Sequence, residues 1–164
     1  MAGDEMSESA ASSLCTACGM CCDGTLFSFV VLSAEEGRTM KAAGVEVHEE
    51  AGRSRLPQRC GALAGCRCTV YAQRPFTCRR FDCLLARSLN DKELPLDEAL
   101  GVVAQARSRL DVLEGLLPPR HADERSGPVL RAARLAQGGT EVSAAARGAF
   151  DHAQDYLRRH FVPD

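Results

Sequence analysis

Nine cysteines sit in this 164-residue chain, and all of them fall between Cys15 and Cys83. The run begins with CTACGMCC, residues 15–22, which sets four sulfurs in eight positions and ends on an adjacent pair. It continues with Cys60, Cys66, Cys68, Cys78 and Cys83, and the second half of the chain has none. So many thiols in one stretch must be cross-linked, bind metal, or be buried as small apolar groups. An odd total argues against a fully paired disulfide set. The opening MAGDEMSESAASSL carries Asp4, Glu5 and Glu8 where a secretory leader would need positive charge followed by an apolar run. The expected compartment is therefore the cytosol, where disulfides seldom persist. Burial alone does not account for eight cysteines at these spacings, so metal ligation is the leading reading.

Thiolates are soft ligands that suit zinc, or iron with sulfide, and two-residue spacers let a turning backbone aim successive sulfurs at one centre. Cys15, Cys18 and Cys21 meet that condition. Adjacent side chains diverge, so Cys21 and Cys22 are poorly placed to bind the same single ion, and the doubling points to a second metal. Cys22 would then recruit partners from the distal cysteines. Either two neighbouring tetrahedral sites or one polynuclear cluster satisfies the pattern.

Between Glu50 and Asp82 there is no acidic residue, yet Arg53, Arg55, Arg59, Arg67, Arg74, Arg79 and Arg80 all fall there, in a chain whose formal charge is only −2. A cluster of thiolates around divalent ions keeps a net negative charge, which guanidinium groups can neutralise while donating hydrogen bonds to sulfur. The rival reading is an anion or nucleic-acid surface. An aromatic content of 5% and an acidic overall balance speak against it, and nucleic acid is not an expected partner. His48, His121, His152 and His160 are dispersed and are read as surface or packing residues. Tyr71 and Phe81 are expected to pack beside the cysteines, and Pro75 to fix a turn that orients Cys78. No phosphate loop or Ser-His-Asp pattern is present, so an enzyme is not the expected class; the arginine excess is a hint of one.

Up to residue 83 the chain is rich in Cys and Gly with short apolar runs. From Leu84 onward it turns to Ala, Leu and Arg at helical spacing. Leu96, Leu100, Val103, Leu110, Leu113 and Leu117 form one helical stripe, stopped by Pro118-Pro119. Pro128 and Gly138-Gly139 bracket a short helix through VLRAARLAQ. A last helix is expected from about Val142 to Phe161, with Val142, Ala146, Phe150, Ala153, Leu157 and Phe161 on one face. Earlier in the chain, TLFSFVVLS (25–33) has a strand's composition, and Ser33 with Glu36 makes a capping box for a helix through AEEGRTMKAAG that Gly44 ends. A connector containing His48 and Pro57 follows, then a short strand at CTVY (68–71) and a turn at Gln73-Arg74-Pro75. The first dozen residues are expected to be mobile.

The expectation is a mainly helical α+β protein. A small cysteine-rich, metal-stabilised domain with short strands spans 12–90, and a helical region over 91–164 packs on it or on a protein partner. No apolar run approaches the roughly 20 residues that span a bilayer, so no membrane association is expected.

These residues resemble the CxxCxxCC, or YkgJ, family of zinc- or iron-chelating proteins. Its first motif is matched by CTACGMCC. Its second, a cysteine before an Ile/Val-Tyr pair followed by Arg-Pro and Cys-Arg, is matched by CTVYAQRPFTCRRFDC, and Cys60 stands where the family has an intermediate cysteine. The resemblance covers roughly residues 12–90 and implies eight ligands: Cys15, Cys18, Cys21, Cys22, Cys60, Cys68, Cys78 and Cys83. Cys66 departs from the pattern. What the resemblance implies is metal binding, with zinc or iron ions held by the thiolates and the physiological role undefined. The alternative is an iron-sulfur cluster protein with a redox or enzyme-accessory role, which the CxxCxxC run would also serve; a similar cysteine pattern also occurs in flagellin lysine methylases.

Overall fold

Ser9 opens the described chain, residues 9–163 of this computed structural model, by capping a helix. Its hydroxyl accepts the Ser12 amide at 3.2 Å, and α1 runs Ala10–Cys18 to a stop at Gly19, where φ is +65°. The first CxxC therefore lies on a helix and not on a turning loop. The signals are a serine cap, an alanine-rich first turn and a glycine just past the end, and together they outweigh the loop character that the cysteines suggest. Of the stretch expected to be mobile, residues 1–8 lie outside the described residues, while 9–12 are the cap and first turn of α1.

Three antiparallel strands follow: β1 (Phe29–Leu32), β2 (His48–Glu50) and β3 (Arg53–Pro57), in the order β1-β3-β2. Val30 faces Leu56 and Leu32 faces Ser54; these four are buried, while Phe29 and Val31 point outward. The segment expected to be a connector is thus a hairpin whose second strand is the centre of the sheet. Its inward alternation is only Ser54 and Leu56, between arginines, too short a pattern to stand out in sequence. Between β1 and β2, α2 (Ala34–Ala42) carries the full capping box, with Ser33 Oγ accepting from the Glu36 amide and Glu36 Oε2 from the Ser33 amide. A two-residue hairpin, β4 (Leu63–Ala64) and β5 (Arg67–Cys68), comes next. The strand expected at 68–71 ends at Cys68, and Tyr71–Gln73 is a single 3₁₀ turn. Pro75 then caps α3 (Phe76–Arg80), a place where its missing N–H is not needed.

Four helices complete the chain: α4 (Leu84–Asn90), α5 (Leu96–Leu116), α6 (Pro128–Gln137) and α7 (Ala144–His160). The stripes read from sequence are buried as expected. Val103, Leu110, Leu113 and Leu117 meet Ala146, Ala153, Leu157 and Phe161 in one core, with Phe150 at its margin. Arg131 is 1% exposed and bridges Glu114 and Glu124, at 3.0 Å each, and the Pro118 carbonyl, fastening the segment between α5 and α6. The result is a mainly helical α+β fold, 52% helix and 10% strand. No helix of the described residues is long and apolar enough to cross a membrane.

Packing does not follow the compositional boundary at residue 84. α1 lies against α4 and α5, so Leu14, Cys18 and Met20 belong to the helical core. The second core holds Val30, Leu32, Met40, Val45, Leu56, Cys60 and Ala62. The loop after α1 also touches the start of α6: the Gly127 amide donates to the Gly24 carbonyl at 3.1 Å. A Cβ on Gly127 would stand 2.6 Å from that oxygen, so only glycine fits.

Candidate metal centre

All nine cysteines, free thiols in every case, line one cavity of about 510 Å³ walled by residues of both cores. Cys15 and Cys18 stand one turn apart on α1, which puts both on the same face. The chain then turns tightly, the Cys22 and Asp23 amides both donating to the Gly19 carbonyl, and this sets Cys21 and Cys22 at the cavity. Cys60 follows β3, and its amide donates to the Cys22 carbonyl at 2.8 Å, tying the two motifs together. Cys68 lies on β5 and Cys78 on α3, while Cys83 is the cap of α4, its sulfur accepting the Ala86 amide at 3.4 Å. Cys66 occupies the tip of the β4–β5 hairpin, pressed against Gly19: a Cβ there would lie 3.1 Å from the Cys66 Cα. Gly19 is required twice over, by its positive φ and by this approach.

Burial is the main influence on these thiols. It pushes Cys18 up to about 12, against a Met20 amide and Arg107 that pull the other way. It raises Cys21 strongly, and the charges of Cys18, Cys22, Cys83 and Cys15 add to it. Cys22 is pushed up to about 12 by burial and then by Cys60, Cys78 and Cys68, and Cys78 to about 11 by burial and then by Cys60 and Cys68. Cys15, Cys60 and Cys83 are raised by burial as well. Unliganded, these sulfurs keep their protons at neutral pH; a thiolate here needs a cation beside it.

The arginines divide. Arg74 lines the cavity, lowers both Cys15 and Cys78, and lies over the Tyr71 ring at 3.5 Å. Arg79 also lines the cavity. Arg80, by contrast, lies over the Phe76 ring, and Arg55 pairs with Glu50. The guanidinium bonded to the cysteine loop was not among those the sequence singled out. Arg107 of α5 donates to the Cys18 carbonyl and to Asp23, whose other oxygen accepts the Thr25 amide at 2.8 Å. Nothing in the linear sequence marks it, because its partners lie in the cysteine loop, far away along the chain.

The remaining candidates pack as expected: the Tyr71 hydroxyl meets Ser12 Oγ at 2.8 Å, and Phe81 meets Phe27 edge to face at 4.7 Å. His48 pairs with Glu46, and His160 lies beside Tyr156. Among the described residues, no three Cys, His, Asp or Glu side chains stand close enough to grip an ion as they are. The sulfurs share a cavity without being drawn to common points. As a donor set they fit a soft or borderline cation, zinc or iron, and not calcium or magnesium, which prefer oxygen.

Nine thiols on short loops, strand ends and helix ends line this one cavity. The chain belongs to the CxxCxxCC family, described as a "putative zinc- or iron-chelating domain", which matches residues 14–97. Metal binding of the zinc or iron kind is thus the domain's general property. Neither a curated protein nor a solved structure matches the chain.

Proposed function

We propose that the protein chelates zinc or iron through the thiolates of Cys15, Cys18, Cys21, Cys22, Cys60, Cys68, Cys78 and Cys83, as a YkgJ-type member of its family. It acts in the cytoplasm, holding metal for structure or storage and not for catalysis. The observation that carries this reading is the gathering of cysteines from two distant motifs around one cavity. A bound cation supplies the positive charge that lets buried sulfurs lose their protons. Arg74 and Arg107 offset the negative charge left over, and the Ala62 and Ala86 amides, each 3.4 Å from sulfur, hold Cys60 and Cys83 in place. Residues 12–90 form the metal-binding region, and the helical region 91–164 packs on it through α1 and the Gly24–Gly127 contact, leaving its outer face for a protein partner.

A second reading is an iron-sulfur cluster with a redox or enzyme-accessory role, favoured by a cavity roomier than one bare ion needs. Metal analysis and absorption spectra of anaerobically purified protein test both. Colourless protein with zinc, or with iron lacking sulfide, supports the first; labile sulfide and broad visible absorption support the second. Protein that takes up neither metal overturns both.

A further inference from the structure

We infer that the eight thiolates divide four and four: Cys15, Cys18, Cys21 and Cys83 serve one ion, Cys22, Cys60, Cys68 and Cys78 serve another, and Cys66 serves neither. This rests on the metal-chelating reading above and replaces its single undivided ligand set.

The division follows the two cores. α1 carries Cys15 and Cys18 on one face and packs on α4, whose N-terminus is capped by Cys83; Cys18 and Cys83 both belong to the helical core. Cys21 follows the turn at Gly19 and lines the same cavity; as the neighbour of Cys22 it is assigned to this set because adjacent side chains diverge. Cys22 goes the other way. It packs with Cys60, Cys68 and Cys78 on the sheet core, and its carbonyl holds the Cys60 amide. Cys60 and Cys68 are brought together by the small hairpin: the Cys60 carbonyl accepts from Leu63, and Leu63 is paired with Cys68. Successive side chains on an extended or turning backbone diverge, so one peptide bond can feed two sites but not two ligands to one ion. Four thiolates complete a structural zinc site with no position left open. Cys66 is set apart by its place at the hairpin tip, where its Cα and Cβ are pressed on Gly19.

The test is cadmium-113 substitution of the full chain, read by NMR and by metal stoichiometry. Two resonances from all-sulfur environments, without cadmium–cadmium coupling, are expected. Cys83→Ser should abolish or shift one and spare the other, Cys60→Ser should do the reverse, and Cys66→Ser should leave both. A single coupled cluster signal, or single variants that move both resonances equally, would overturn the division while leaving chelation intact. A protein that binds no cadmium would overturn chelation itself. Should a serine variant not fold, the unmutated chain still decides: with one equivalent of cadmium bound, alkylation should spare one set of four and modify the other. Protection spread over both sets would sink the inference.

Discussion

The two cores of this molecule are held in different ways. The helical core draws on α1 and α4–α7, with leucines, valines and alanines meeting across several helix faces, and it contains Leu113 and Ala146 at 0% exposure. The sheet core has three short strands, one two-turn helix and a handful of apolar side chains, one of which is itself a cysteine. Burial of apolar area scales with what there is to bury, so the first core has more to draw on than the second. On the proposed reading, cysteine supplies the difference. As a protonated thiol it is a small apolar filler, and as a metal-bound thiolate it would add cross-links to the strand pairing that already joins these loops. The Cys21–Cys22 peptide lies where the two regimes meet.

Metal removal should separate them, with the largest effect of any perturbation. A structural zinc contributes on the order of 10 kcal/mol. A strong chelator should therefore erase amide protection in β1–β5 and α3, while α5 and α7 keep theirs. Equal loss of protection in both regions would show that the helical core also depends on metal. Unchanged protection in β1–β3 would show that the sheet does not.

The converse change strikes the helical side. Leu113→Ala removes a fully buried side chain from α5 and should cost about 2–5 kcal/mol in denaturant unfolding, with metal stoichiometry unchanged in the folded protein. Loss of bound metal at native conditions would mean that the two regions share a single cooperative unit.

Smaller effects are expected where guanidinium groups join them. Arg107→Ala leaves Asp23 and the Cys18 carbonyl without their partner and should weaken metal affinity about 10- to 100-fold, the range for groups that orient ligands. Arg74→Lys, which loses the planar contact with Tyr71, should weaken it less, and Arg80→Lys should leave it unchanged. Competition against a coloured chelator gives the ranking, and an equal response from Arg80 and Arg107 would contradict it.

Arg107 also shows where sequence reading stops. The long helices were legible because burial repeats along them at a fixed period, as Val103, Leu110 and Leu113 do, and because prolines and glycines mark their ends. The capping box at Ser33 was legible for the same reason: both halves lie within four residues. The α1 helix and the β2–β3 hairpin were not, because a nine-residue helix and strands of three and five residues give too few repeats, and the cysteines and arginines on them suggested other roles. In the candidate site, chemistry was legible and pairing was not. Spacing brings the thiols of each motif together; the contacts of Cys22 with Cys60, and of α1 with α4, on which the proposed division rests, exist only in the folded chain. Arg107 reaches its partners through a helix packing that no local pattern encodes.

The smallest expected effect concerns a residue that sequence reading placed but did not fully use. Glu36 completes the α2 cap with one oxygen, and with the other it accepts the Phe76 amide at 2.6 Å, pinning the start of α3 and so the helix that carries Cys78. The Ser33 amide, and after it that of Phe76, hold the Glu36 carboxyl below its ordinary range. A depressed carboxylate contributes stability that is complete above the unfolded value, near 4.3, and is lost as pH falls through the lower folded value. The group is largely exposed, so the contribution is modest. Carboxyl-carbon titration by NMR should find Glu36 below the ordinary glutamate range. Glu36→Gln can satisfy one of the two amides as acceptor and Glu36→Ala neither, so Phe76 amide exchange at neutral pH should quicken in that order, with helix α5 unaffected. If Glu36 titrates as an ordinary glutamate and neither variant changes the exchange of Phe76, α3 is held in place by its other contacts, those with β1 among them.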